Sequence, residues 1–453
     1  MKKIIFLFAL VCIFGCSKKL DLKPDSTLII PESAKDLENI LDNSDIINST
    51  PALAQLSADE YFIPTLQDWQ GLPTPIQRNL YIWKPDIFEG ATQLADWTVP
   101  YSAIFYSNSV LDILSKQNIS NDTEKKNIKG WALFIRSYNL YILVSLYSKA
   151  YDEATANSDL GIPLKLSSDI KNIVPRSSVQ KTYDQITNDI ITASDLLNTN
   201  IIDGKRNRPS KIASYALLAR VYLSMRKYDQ AELYANKSIS LYSTLIDYNS
   251  LDTTTASAFT YNSLETIYFT QQLPEYASTS YGLQRSYGLD SNLVTIYEPG
   301  DLRLPIYFKK NSIDNYNFKA INSLQEYPFT GLATDEMYLI KAECLARKGQ
   351  IEESLLVLNS LIKTRMKTGT FIAITANTAA DALEKILVER QKSLVWRGLR
   401  WMDIKRFNLE GRNIMLTRNL SGTIYILEPN SPKYVLPIPD DEIALSGIQQ
   451  NPR

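Results

Sequence analysis

The chain has 453 residues, 45% of them apolar and 21% charged, with 48 basic against 49 acidic side chains. That composition supports a large packed core, and a net charge of −1 gives no basic field to hold nucleic acid. Histidine is absent, which excludes a Ser–His–Asp triad, a Cys–His pair, an imidazole metal site and a histidine switch near neutral pH. Carboxylate-only chemistry, of the kind glycosidases use, stays open.

The chain starts with Met1-Lys2-Lys3 and an apolar run that stops at Gly15-Cys16. Two lysines, a short apolar run and a small residue predict a secretory signal peptide over residues 1–15. The run is shorter than the about 20 apolar residues that span a bilayer. The tetrad Ile13-Phe14-Gly15-Cys16 resembles a bacterial lipobox, although Phe14 is bulky for its place. That resemblance implies cleavage before Cys16 and lipid on its sulfur and amine. At about 0.8 kcal/mol per buried methylene, two or three acyl chains hold a protein at a membrane. Residues 16–26, with Pro24, then form a polar tether. Cys344 is left as a lone thiol, so no intrachain disulfide is expected. Its apolar helix predicts that it is buried and inert.

Helical spacing of apolar residues predicts helices over 34–41, 99–114, 123–151, 179–197, 210–225, 228–242, 336–347, 351–363 and 379–397. Strand signals are few, the best at 265–270 and 434–438. The fold class expected is mostly all-α. Two helix pairs share one pattern. Tyr215, Leu218, Ala219 and Tyr222 fall at i, i+3, i+4 and i+7, and Tyr338, Lys341, Ala342 and Leu345 take the same offsets. A small residue between large ones lets antiparallel helices approach closely. The spacing resembles the tetratricopeptide pattern, although Lys341 departs from it. Plain helical hairpins would give similar spacing.

Long irregular stretches at 57–98, 243–286 and 310–330 separate these helices. They carry many aromatic residues, which disordered segments mostly lack, so they are expected as ordered loops. In the first, Trp69, Tyr81 and Trp83 are candidate ligand contacts, because an aromatic face packs against sugar C–H groups or peptide side chains. Asp59 and Glu60 are candidate hydrogen-bond partners beside them. Tyr276 and Tyr281, set among Ser, Thr and Gly, are candidates from the second loop. Trp131, Trp396 and Trp401 are expected in the core. The cluster Glu389, Arg390, Arg400, Asp403 and Arg406 is expected to be a structural ion-pair network, because no nucleophile or ligand set accompanies it. No metal site or cofactor is expected.

Motifs in order along the chain carry a wider resemblance. Leu20-Asp21-Leu22-Lys23-Pro24 comes first, then Trp97, Tyr101, Ile104 and Asn108 on one helix. Arg136-Ser137-Tyr138, Gly161-Ile162-Pro163-Leu164 and Gly300-Asp301-Leu302-Arg303 follow. The last third holds Glu389-Arg390, then Trp396-Arg397-Gly398-Leu399-Arg400-Trp401-Met402-Asp403, and ends in Pro437-Ile438-Pro439 and Gln450-Asn451-Pro452. In this order they resemble the SusD/RagB family of Bacteroidota outer-membrane lipoproteins. Ser393 and Arg397 stand where that family usually has glutamates, and Ser17-Lys18-Lys19 is basic where surface lipoproteins of the family are often acidic.

The resemblance implies one SusD-like body over residues 27–453, with an N-terminal part to about 240 and a C-terminal part from about 241. It implies tetratricopeptide-like helix pairs as scaffold, with ligand-binding loops on top. It also implies a non-enzymatic protein, lipid-anchored at the outer membrane and facing the cell surface. Such a protein captures a nutrient, an oligosaccharide before a peptide, for a SusC-like TonB-dependent transporter. A lipid-anchored tetratricopeptide scaffold that binds proteins is the competing reading. Replacing Cys16 tests the anchor: Cys16→Ala is expected to abolish labelling by radioactive palmitate and to move the protein from the membrane fraction to the soluble one.

Overall fold

Polar caps start half of the long helices. Ser33, Asn121, Ser178, Ser210 and Thr378 each accept a hydrogen bond from a backbone N–H of the first turn that follows. The computed structural model describes residues 31, 33–116, 121–276, 279, 284–319 and 328–453. Cys16, the expected signal peptide, the expected tether to residue 26 and Tyr281 lie outside the described residues.

Among the described residues, the helices of eight or more residues are α1 (Ala34–Leu41), α2 (Ala95–Lys116), α3 (Asp122–Tyr147), α4 (Val179–Leu196), α5 (Lys211–Ser224), α6 (Tyr228–Leu241), α7 (Thr334–Arg347), α8 (Ile351–Lys363), α9 (Ala379–Ser393) and α10 (Arg400–Leu409). The protein is mainly α-helical, with short two-stranded sheets. Each helix from α2 to α7 packs on the next, and α7 also packs on α8 and α9. This row of antiparallel pairs is the arrangement of stacked helical repeats. Ala216, Ala219, Ala231 and Ala235 are fully buried on α5 and α6, where a small side chain allows close approach. Tyr222 and Tyr234 stack there with centroids 5.6 Å apart.

One apolar core runs from Leu37 to Ile448 and joins the two halves of the chain. A second core is rich in rings, including Tyr61, Tyr81, Tyr248, Tyr287, Tyr307, Phe318 and Trp396. Short strands tie residues 49–62 to the middle of the chain. Ser49–Thr50 pairs in parallel with Gln271–Gln272, and Tyr61–Phe62 pairs antiparallel with Gly288–Leu289. Cys344 is free and buried, and burial pushes its thiol up.

The structure departs from the sequence expectation at several ends. The helix expected over 123–151 stops at Tyr147, because Lys405 donates from Nζ to the Ser145 and Ser148 carbonyls, both at 2.7 Å. The helix expected over 379–397 stops at Ser393, and α10 starts at Arg400. Between them Trp396 and Gly398 take positive φ, 63° and 68°, which breaks the helix. No ladder forms at 434–438; a 3-10 turn, Pro432–Tyr434, leads into a segment whose Leu436 N–H donates to the Leu146 carbonyl. The strand signal at 265–270 contracts to Thr266–Tyr268, paired with Leu332–Ala333. A hairpin of Leu416–Leu420 and Thr423–Leu427 is additional. Its turn residues Ser421 and Gly422 have φ of 50° and 87°, the signs a two-residue type I′ turn requires. Among the described residues no helix is long and apolar enough to cross a membrane.

Candidate functional site

Most of the loop aromatics singled out in the sequence turn inward. Arg418 explains the first group. Its guanidinium is buried and donates to the Tyr61 and Ala58 carbonyls. The rings of Tyr61, Tyr81 and Trp83 surround it, with centroids 4.9, 4.5 and 5.3 Å away. A desolvated cation gains from aromatic faces, so the loop folds its rings onto Arg418. Trp83 is 1% exposed and donates from Nε1 to the Ser57 carbonyl at 3.0 Å. The buried Tyr81 hydroxyl accepts from the Ile63 N–H at 2.9 Å. Neither ring has a face open to a ligand, which corrects the expectation of contact there.

Glu60 is buried too, accepting from Gln55 Nε2 at 2.9 Å and the Trp396 N–H at 3.3 Å. Burial pushes its carboxyl up to about 7, with the neighbouring Asp59 adding to the rise. Asp59 holds Arg400 in a two-pronged pair, both contacts at 2.8 Å. Burial alone would raise Asp59; the Arg400 charge more than offsets that and leaves it low. Tyr276 is buried and its hydroxyl donates to Asp96 at 3.2 Å. So Glu60 and Tyr276 also sit in the core, and Asp59 is committed to Arg400. Trp69 alone of the described aromatic candidates is half-buried, with Nε1 on the Arg78 carbonyl at 3.0 Å.

The charged cluster of the last third is structural. Arg390 pairs with Asp403 at 2.8 Å, and Arg406 bridges Asp403 and Glu343. Glu389 pairs with Arg303 at 2.7 Å and Lys392 at 2.8 Å, and Arg303 also holds Asp301. These contacts join α7, α9 and α10. Trp131, Trp396 and Trp401 are core, each 1% exposed or less.

A ring-lined groove of about 640 Å³ opens elsewhere, along α2. Trp97, Tyr101 and Phe105 fall at i, i+4 and i+8, each step about 6 Å along the axis. Trp97 and Tyr101 lie 4.9 Å apart; Phe105 and Tyr106 lie 5.8 Å apart. Trp97 is closed off, with Nε1 3.3 Å from Glu442, while Phe105 is 38% exposed. The facing wall, residues 164–174, presents Leu166, Asp169, Ile170 and Asn172. Asn108 holds that wall through Nδ2 on the Lys165 and Ser167 carbonyls, at 2.9 and 3.2 Å. Its Oδ1 in turn accepts from Arg136, which grips Asp189 of α4 with two bonds of 2.8 Å. Lys165 lies over the Tyr101 ring at 5.1 Å. The groove thus offers half-open rings beside amide, acidic and basic side chains. The sequence places Tyr101 and Phe105 on a helix, but nothing local to them tells which ring the fold leaves uncovered.

A second recess, of about 700 Å³, lies between residues 149–160, α10 and the chain's last residues. Lys405, Asn408, Leu409, Pro432, Tyr434 and Asn451 are among its walls.

A stacked helical scaffold with open recesses and closed charge clusters places the chain in the helical-repeat class. A family model described as starch-binding and associating with the outer membrane matches residues 18–223, and the SusD family model matches residues 306–453. The chain belongs to the SusD/RagB-like family. A SusD superfamily protein of Bacteroides thetaiotaomicron superposes with a TM-score of 0.76 at 21% identity, over 93% of this chain and 100% of that one. A putative sugar binding protein of Bacteroides vulgatus gives 0.75 at 20%, over 94% and 99%. A SusD-like carbohydrate binding protein of Bacteroides fragilis gives 0.68 at 17%, over 91% and 98%. At these identities the likeness is one of fold. No curated protein sequence gives a significant match.

Two substitutions test the placement of the loop residues. Trp83→Ala removes a buried ring and is expected to cost about 3–5 kcal/mol in denaturant unfolding. Glu60 titrates near 7 in the folded protein against 4.5 unfolded. Its favourable contribution is therefore intact below 4.5 and lost as pH rises through about 7. Glu60→Gln does not titrate. Stability of the native protein relative to Glu60→Gln is expected to fall by ~3 kcal/mol across that window and to be level above it.

Proposed function

We propose that this protein is a non-enzymatic capture protein for a carbohydrate nutrient. The observation that carries this reading is the α2 groove, where Tyr101, Phe105 and Tyr106 line an open recess among polar side chains. Sugar rings pack their C–H faces on aromatic rings, and their hydroxyls take the surrounding amide, carboxylate and ammonium groups. Family membership supports the class of ligand, as do the sugar- and carbohydrate-binding names carried by proteins of the same fold. The closed ion pairs around Glu389 and Asp403 favour binding over hydrolysis, since each carboxylate is already committed to a cation.

The proposal extends to place and partner. Lipid on Cys16 holds the body at the outer membrane, facing the cell surface, and the ligand passes to a SusC-like TonB-dependent transporter. Trp69, half-buried in the first long loop, and Tyr281 are retained as further contacts. The apolar groove rim, with Ile170 82% exposed, suits peptide side chains as well, so peptides are the alternative ligand. Glycan and peptide arrays separate the two. Phe105→Ala is expected to weaken the captured oligosaccharide at least tenfold in calorimetry, with an unchanged melting temperature. Unchanged affinity would remove the groove from the reading.

A further inference from the structure

The recess beside α10 holds a buried cation that lacks a counter-ion. Lys405 is 6% exposed. Its Nζ gives two protons to the Ser145 and Ser148 carbonyls and enters no ion pair in the described network. Other buried cations, such as Arg136, Arg220, Arg303 and Arg406, each face a carboxylate. Lys319, Arg206 and Arg418 are satisfied by carbonyls as Lys405 is, but none of them lines a recess of several hundred Å³. Lys405 does. An ammonium has three donors, and two are in use.

The walls around it fit a compact molecule. At about 700 Å³ the recess is of the size small ligands occupy. Leu160, Leu409, Pro432 and Val435 make much of its lining. The two lining carboxylates are already neutralised: Asp159 pairs with Lys149 at 2.7 Å, and Asp152 with Arg226 at 3.2 Å. One lining hydroxyl, Tyr434 Oη, is buried and meets only the Asn408 side chain. Burial pushes the Lys405 ammonium down to about 7, so a ligand that supplies negative charge would restore the charged form.

We infer that this recess is a second ligand site, separate from the α2 groove, which takes a small carboxylate on a compact, partly apolar body, with Lys405 as its counter-charge. Desolvated ammonium and carboxylate attract strongly when water is excluded. The carboxylate can belong to a sugar acid or to the end of a peptide. The cap that Lys405 places on α3 is compatible with this, because it uses only two of the three donors.

The experiment uses galacturonate and an N-acetyl amino acid as probes of the two sources, with their uncharged amides as controls. Calorimetry is run at pH 8 in two buffers of different ionisation enthalpy. Either acid is expected to bind at least tenfold more tightly than its amide, with proton uptake on binding as Lys405 recharges. Lys405→Met is expected to abolish that preference and the proton uptake. Ala150→Trp, which adds a bulky ring to the recess wall and leaves the Lys405 side chain in place, is expected to abolish binding at unchanged stability, so a misfolded Lys405→Met variant would leave the test standing. Equal binding of acid and amide, absence of proton uptake, binding that survives Ala150→Trp, or no binding of either acid at tens of millimolar would overturn the proposal.

Discussion

A charge removed from water needs a partner, and this requirement organises the molecule. Breaking one partner of a buried pair costs several kcal/mol, so a buried arginine that faces a carboxylate fixes the element that carries it. Arg406 binds Glu343 and so sets α10 against α7. Arg390 binds Asp403 and sets α9 against α10. Arg400 binds Asp59 across most of the chain's length, and so holds the first long loop to the C-terminal helices. Arg136 binds Asp189 and Asn108, and Asn108 carries the groove wall. The recess along α2 is therefore held by the same kind of contact that holds the core.

The scaffold was legible because its signals are local. Apolar spacing marked nearly every long helix, and α8 matched its expected ends. The ends that shifted depend on distant residues. Tyr147 ends α3 because Lys405, 258 positions further on, meets its last carbonyls. The break between α9 and α10 depends on positive φ at Trp396, and no side-chain pattern announces that. The Ser421-Gly422 hairpin carried a readable turn signal between alternating residues. The charged cluster near Asp403 was legible in its role, because its spacing suited ion pairs and no reactive group stood with it.

The candidate site was legible in kind and not in place. Aromatic residues in long loops look alike in sequence whether they meet a ligand or a cation. Arg418 lies more than 330 positions after Trp83, and it is what draws Tyr61, Tyr81 and Trp83 inward. On α2 the reverse holds. Trp97, Tyr101 and Phe105 form a stripe that suits a core-facing helix, yet the wall at 164–174 stands away from it and leaves Phe105 partly open. Ring exposure is a property of what packs opposite, and that is set by tertiary contacts.

The two recesses flank one structural element, the last turn of α3. Tyr147 meets Trp97 of the groove at 4.8 Å, edge to face. The Tyr147 carbonyl accepts from Asn451, a wall of the second recess, and from Arg176. Arg176 also donates to the Asn451 side chain at 2.8 Å and to the Gly161 carbonyl. Lys405 closes the same turn from the other side. A ligand in one recess can influence the other only by moving this turn, since coupling requires an element with two arrangements that both ligands sense differently. With its carbonyls held by Asn451, Arg176 and Lys405, the turn has one arrangement that satisfies all of them. The geometry thus favours two sites that fill independently, with the end of α3 as a rigid partition between them.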